Sequence, residues 1–437
     1  MKNLFNSLDE PSRRQFMATA AKAAFGLSVV PIFGQGLLNA ATPKEEMTSA
    51  IRKKPAKHCV YLYMAGGMTH IDTLDPKPGA STMGPSKAVS TKADGIQLGE
   101  TFARTGAHMK HGAVIRSMTS TQGAHEQAAY MMRTSYTPRN TVRHPSMAAW
   151  TQYFFSQRNE TLPGGIMIGG GGDHPLSGYL EAKFAPLPVG NPDKGITNIH
   201  PPKGVDLPEM RNRLDVLGAL NQSFYKKYDA IKEMRGHEDM YFDAVKLMAS
   251  KDLEAFDIYK EPADVRQRYG ENNFGKACLL SRRLIEKGVR FIDVSSGGWD
   301  MHDGLFSAIK ERTDPIDQGL AALIADLERL GLLEDTLVCL VSEFGRTPTI
   351  NDTNGRDHYP KAFSTLLMGG GLKGGEVYGS TDKEGREVTE GKIGFEDFNA
   401  TIAYGLGMPL DKVITSPDGR PFTVAHKGKP LINLFKA

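Results

Sequence analysis

Disulfide chemistry has little to work with in this chain of 437 residues, which holds only three cysteines. Cys59 and Cys339 sit in apolar, strand-like runs and Cys278 in a helix-like one. They read as small core residues, which excludes a disulfide framework and a thiolate metal site. Charge of one sign is also scarce. A formal net charge of +3 is too small to draw a nucleic acid, so no nucleic-acid partner is expected. Beyond the N-terminal segment no apolar run is long enough to span a bilayer. The glycine run Gly169–Gly172 is followed by neither Lys-Ser/Thr nor a helix pattern, which excludes a phosphate-binding P-loop. What remains is ordinary globular material. Hydrophobic residues make up 40% and charged residues 24%, enough for a full-sized core. With 47 glycines and 25 prolines, the chain has many loops.

The N-terminus reads as an address. Ser12-Arg13-Arg14-Gln15-Phe16-Met17 is a twin-arginine pattern, and a weakly apolar stretch follows, diluted by Lys22, Gly26, Pro31 and Gly34. Residues 1–41 are therefore expected to be a bacterial twin-arginine export signal. The translocase of that pathway is the partner this implies, and a periplasmic or exported location follows. Cleavage is expected near Asn39–Thr42. The A-x-A pattern is poor there, so the alternative is an uncleaved anchor, which would be the one membrane segment. Residues 42–437 read as a single α/β domain.

Within it, short apolar runs alternate with helical periodicity. His58–Met64, Ala113–Met118, Leu162–Ile168, Val289–Val294, Leu337–Val341 and Thr365–Met368 read as strands. Leu337–Val341 is apolar throughout, as a strand covered on both faces would be. His125–Arg133, Phe274–Lys287, Asp314–Leu330 and Asp397–Leu406 read as helices, Pro186–Pro208 as irregular, and Gly374–Val388 as an edge hairpin. Leu214, Leu217, Leu220, Phe224, Tyr228 and Ile231 recur at helical spacing, which marks a helical insertion at about 209–269. His237 falls there, on a solvated face. The fold class is α/β: a mostly parallel sheet sandwiched between helices, with that insertion.

In open α/β sheets ligands bind beyond the carboxyl ends of the strands. Here those ends carry unusual residues. The first strand runs into Gly66, Gly67, His70, Asp72 and Asp75. The strand at 289–294 delivers Gly297, Gly298, Asp300 and His302. Leu337–Val341 is followed by Glu343, Arg346, Asp357 and His358. His and carboxylate ligands suit a divalent metal, Zn²⁺ first, with Mn²⁺, Mg²⁺ or Ca²⁺ as alternatives. His70, Asp72, Asp300, His302, Glu343, Asp357 and His358 are the candidate ligands. Asp173 and His174 lie in a further glycine loop. Thr119, Ser120 and Thr121 precede the helix that opens with His125. Hydroxyls there can cap the helix, or Thr119 or Ser120 can attack an ester. His125 can serve as acid, base or ligand. Arg346 is placed to fork an anion's oxygens.

The motifs GGMTHIDTLDPKP, YGENNFGKACLLSRRLIEKGVRFIDVSSGGWDMH, SEFGRTP and GRDHYP, in that order, resemble an exported bacterial family of unknown function with twin-arginine signals. That family is grouped with the alkaline phosphatase/sulfatase superfamily. The resemblance covers most of the chain after the signal. It implies an alkaline phosphatase-like core, with Asp72 as a bridging ligand and Asp300 and His302 as an Asp…His pair on one metal. Glu343 stands where the superfamily has an Asp-His pair, and Asp357 and His358 where a further His ligand lies. Phe344 replaces one expected ligand. The Cys-x-Pro-x-Arg signature of formylglycine sulfatases is absent, which weakens a sugar-polymer sulfatase.

The expected function is metal-dependent hydrolysis of phosphate, or related sulfate or phosphonate, esters in the cell envelope. The substrate would be a small-molecule or polymer ester. The alternative is a non-catalytic exported binding protein that keeps the fold.

Overall fold

The computed structural model describes residues 52–155, 158–170, 172–197, 199–227 and 241–437. The expected export signal, its cleavage region, and Tyr228, Ile231 and His237 lie outside the described residues.

One sheet of 8 strands organises the domain. In chain order they are β1 (His58–Met64), β2 (Gly112–Met118), β3 (Gly165–Ile168), β4 (Leu187–Val189), β5 (Phe291–Ser296), β6 (Thr336–Val341), β7 (Phe363–Gly369) and β8 (Glu376–Tyr378). Their order across the sheet is β8-β2-β7-β6-β1-β5-β3-β4. β1 sits between β6 and β5 and is parallel to both. β7 is antiparallel to β2 and β6, and every other pairing is parallel. The short β4, inside the stretch expected to be irregular, carries Pro188 at the sheet's edge. An edge strand can spare the missing N–H.

Helices cover both faces. They are α1 (His125–Thr134), α2 (Met147–Phe154), α4 (Asn273–Glu286), α5 (Leu305–Arg329) and α6 (Phe395–Leu406), while α3 (Leu207–Lys227) belongs to the insertion. β1 shows how one strand feeds two cores. Val60, Leu62 and Met64 join a cluster with Phe274 and Cys278 of α4 and Leu320 and Ile324 of α5. Cys59, Tyr61 and Tyr63 point the other way, into a cluster with Met132 of α1, Trp150 of α2 and Phe398 and Ile402 of α6. The period of two along a strand separates the sets. Each fully buried aliphatic side chain contributes about 1.5–3 kcal/mol.

Two boundaries differ from the sequence reading. α5 starts at Leu305, well before the expected Asp314, and runs through Pro315. Pro315 costs one backbone hydrogen bond, but Leu305, Ile309 and Ile316 are buried on either side of it and hold the helix together. The expected edge hairpin at 374–388 is split. β8 joins the main sheet parallel to β2, and Ser380–Thr381 pairs separately with Val388–Glu390. In the insertion, α3 forms as expected, and Leu217 and Leu220 on it are exposed.

Candidate functional site

Parallel strands deliver their C-terminal ends to one rim. β1 ends at Ala65-Gly66-Gly67, β5 leads through Gly297 and Gly298 to Asp300, and β6 leads to Glu343. β2 leads through residues 119–124 to His125 at the start of α1. β7 is antiparallel, so the segment before it, with Asp357 and His358, reaches the same rim. Gly66 lets two of these loops close. At φ +117°, a Cβ on it would lie 2.4 Å from the Asp300 backbone nitrogen. Only glycine fits that approach. Trp299 is sunk in the core, 1% exposed, and its N–H donates to the Ala65 carbonyl at 3.2 Å. That anchor fixes where the next residue, Asp300, emerges.

Three imidazoles surround Asp300. Each has its Nδ1 occupied: His125 by Glu343 Oε1 at 2.7 Å, His302 by Asp357 Oδ1 at 2.8 Å, and His358 by the Gly123 carbonyl at 2.7 Å. These partners are all acceptors, so each Nδ1 carries a proton and, in the neutral ring, each Nε2 keeps a lone pair. The Nε2 atoms face Asp300 Oδ1 at 3.3, 3.0 and 3.1 Å respectively. Those of His302 and His358 lie 3.0 Å apart. His125 Nε2 is buried without a hydrogen-bond partner among the described residues. Converging lone pairs beside a carboxylate repel one another unless a cation stands among them. His125, Asp300 and His358 offer ligand atoms within 4.8 Å of one another, close enough to hold one metal ion. Phe344 packs against both His125 and His358, with ring centroids 4.8 and 4.7 Å away, as an apolar floor.

The charges are tuned by neighbours. Burial pushes the Asp300 carboxyl up, but the Arg346 guanidinium hydrogen-bonded to it outweighs that and holds it well below the usual range. Burial likewise opposes the ionised form of Glu343. The bonds from His125 and from the Gly66 N–H win, and its carboxyl stays below normal. The Glu343 hydrogen bond raises His125, against the effect of burial.

A cavity of about 420 Å³ opens beside the cluster. His125, Asp300 and Glu343 are among its lining residues. So are Arg133, His174 and Ser295. Arg133 Nε donates to Asp293 Oδ2 at 3.0 Å and Nη2 to Ser295 Oγ at 3.1 Å, and its guanidinium lies 3.8 Å over the Tyr63 ring. His174 Nδ1 accepts from the Leu176 N–H, so its Nε2–H donates to Asp293, at 3.1 Å. Burial would raise the Asp293 carboxyl, yet Arg133 and His174 bring it down to about 2.

The structure thus brings Asp300, His302 and His358 of the expected ligands together, with His125 among them. It sets Glu343 and Asp357 behind the imidazoles, on Nδ1. Asp72 is not brought there. Its carboxylate is fully buried against Arg356 at 2.8 Å and accepts from Thr69 and Ser86, both at 2.6 Å. His70 Nε2 bonds the Gly385 carbonyl at 2.9 Å, and Asp75 pairs with Lys77 and Arg116. Arg346 is buried and turned inward, not toward a ligand. It donates to the carbonyls of Gly66, Gly67 and Arg356 and, at 2.5 Å, to Asp300. Thr119 donates its hydroxyl to the Ile393 carbonyl, and Ser120 accepts from the Gln122 N–H. Both line a different cavity of about 680 Å³ with Lys361 and Lys392. Neither caps α1, whose N-cap is Ala124. Asp173 reaches the rim of the 420 Å³ cavity.

Sequence reasoning overlooks Gly123, Arg133 and Arg356. Gly123 acts through its carbonyl, which no side-chain pattern reveals. Arg133 sits in helical periodicity and looks like any surface cation. Arg356 stands inside GRDHYP, and its adjacency to the Asp-His pair is the one available signal.

The family described as "Protein of unknown function (DUF1501)" matches residues 56–435. Among curated proteins none matches. The chain is similar to the PsFucS1 sulfatase from Pseudoalteromonas sp., with 12% identity, 82% of this chain and 68% of that chain covered, and a TM-score of 0.36. It is similar to a protein in the alkaline phosphatase superfamily from Vibrio parahaemolyticus, with 10% identity, 86% and 71% covered, and a TM-score of 0.35. It is also similar to a TAB5 alkaline phosphatase mutant with Mg bound, with 12% identity, 82% and 99% covered, and a TM-score of 0.38. Likeness at these scores leaves the chemistry to be argued from the residues of this chain.

Proposed function

From the premise that the chain belongs to the DUF1501 family, we propose that it is a metal-dependent hydrolase of phosphate or related esters, acting outside the cytoplasm. The observation that carries this reading is the convergence of three Nε2 lone pairs on Asp300 Oδ1, each ring pinned through Nδ1. Three imidazole nitrogens and a carboxylate oxygen are a Zn²⁺ donor set, and the pinned Nδ1 atoms are the supporting shell such sites use. His125, Asp300, His302 and His358 would hold the ion. Bound there, a divalent cation supplies Lewis-acid polarisation of an ester oxygen and activation of water.

The chain's residues do the rest. Glu343 and Asp357 orient His125 and His302. Arg346 balances the Asp300 charge. Phe344 keeps water from beneath the rings. The cavity admits the ester. In the reaction an oxygen of water bonds to phosphorus, the bond to the leaving oxygen breaks, and that oxygen takes up a proton. Water is the attacking group in this reading, because Thr119 and Ser120 line another cavity. The same observation favours a second reading, an exported binding protein without catalysis. The twin-arginine pattern and the motif resemblance to the alkaline phosphatase/sulfatase superfamily support export and hydrolysis.

Metal analysis of the purified protein tests the site. Bound zinc is expected in the wild type and its loss in Asp300→Ala and His358→Ala. Full retention in both variants sinks the proposal. Ester hydrolysis that chelation abolishes separates the enzyme from the binding protein.

A further inference from the structure

Arg133, Ser295 and His174 in the cavity lining are built into a network but have no place in the chemistry above. Arg133 is 7% exposed, yet it lines the cavity. Its hydrogen bonds to described residues use Nε and Nη2, and Nη1 takes part in none of them. Ser295 Oγ accepts from Arg133, so its own O–H is left to donate. Asp293 and His174 brace the pair from behind. This network carries no net charge: Arg133 and Asp293 cancel, and His174, with Nδ1 accepting, is neutral. The carboxylates in the rest of the lining are Glu126, Asp173, Asp300 and Glu343. Such a field repels a second anion. Backbone at Gly170 and Gly297 leaves room for a bulky group. About 420 Å³ falls within the range of small-ligand sites.

We propose that Arg133 and Ser295 form a subsite for an uncharged, hydroxyl-bearing leaving group, so that the preferred substrate is a monoester of a sugar or similar polyol. This rests on the hydrolase reading for the ester itself. Arg133 Nη1 gives a fixed donor to a hydroxyl oxygen, and Ser295 gives a donor beside it. A site built to hydrogen-bond a hydroxyl discriminates strongly against an analogue that lacks it.

The test uses the full metal-loaded chain with D-glucose 6-phosphate and phenyl phosphate, and with D-glucose as a binding probe. Ser295→Ala is expected to raise KM for glucose 6-phosphate about tenfold. The kcat/KM ratio of that ester over phenyl phosphate should fall about tenfold as well. Arg133→Lys, which keeps the charge and loses the Nη1 donor, should shift the ratio the same way. Equal losses on both esters in both variants overturn the subsite, because a merely structural role affects both alike. If the wild type turns over neither ester, the hydrolase reading fails for phosphate monoesters and D-glucose binding by calorimetry decides the subsite. Saturable binding that Ser295→Ala weakens about tenfold upholds it. No binding to the wild type, or binding that the substitution leaves unchanged, overturns it.

Discussion

His302 is held between two partners: its Nδ1 lies 2.8 Å from Asp357 Oδ1, and its Nε2 lies 3.0 Å from His358 Nε2. The Asp357 carboxylate fixes the ring's tautomer and therefore which nitrogen is free. Asp357 is exposed, so its removal does little to the fold. Asp357→Ala is predicted to weaken zinc affinity about 10–100-fold, as loss of a supporting carboxylate does, with an unchanged circular dichroism spectrum. Competition with a chromogenic chelator measures it. Unchanged affinity would mean that Asp357 only decorates the loop.

Metal binding should also appear as stability. A ligand that binds only the folded state, at 100 times its Kd, adds about 2.7 kcal/mol. In a domain of this size that raises Tm by several degrees. Zinc titrated into chelated wild type should give this shift, and Asp300→Ala should abolish it. A shift that persists in Asp300→Ala would place the binding elsewhere.

How much of this could be read from residues alone follows from the physics of each. β1 coincides with the apolar run His58–Met64 because a strand covered on both faces has no polar positions to blur its ends. Asp300, His302 and His358 stand out because glycines and strand ends frame them. The difference between holding an ion and holding a ring is not written locally. Glu343 and Asp357 look like ligands in sequence, and only the third dimension puts imidazoles in front of them. Asp72 meets Arg356 across 284 positions, a pairing with no local signature. Pro315 suggests a helix start, while burial on both sides of it keeps α5 continuous.

Two buried histidines set an acid limit. His58 donates from Nδ1 to the Val289 carbonyl at 2.7 Å, and burial lowers its pKa to about 4. Burial lowers His144 to about 4 as well. In the unfolded chain each takes up its proton near the ordinary value of about 6.5. Between those values the unfolded state binds more protons. Stability therefore falls as pH drops through that window and rises as pH climbs out of it. For His58 the full effect is on the order of 3 kcal/mol at most. His58→Asn keeps an N–H for Val289 and cannot titrate. The slope of Tm against pH from 4 to 6.5 should be shallower in this variant than in the wild type. An identical slope would assign the acid limit to other groups.

Asp72 and Arg356 form an ion pair with both side chains fully buried. Arg356 also donates to the carbonyls of Thr347, Pro348 and Thr82, so it cannot turn to solvent when its partner is lost. Breaking such a pair from one side leaves an uncompensated charge and costs about 3–5 kcal/mol. Asp72→Ala is therefore predicted to lower stability by that amount in urea titration while retaining zinc in the folded fraction. Asp300→Ala should show the reverse emphasis, losing the metal first. The contrast tests the geometry directly. If Asp72→Ala released zinc as readily as Asp300→Ala, the strand end of β1 would belong to the metal centre, and the Arg356 pairing would have to give way when an ion binds.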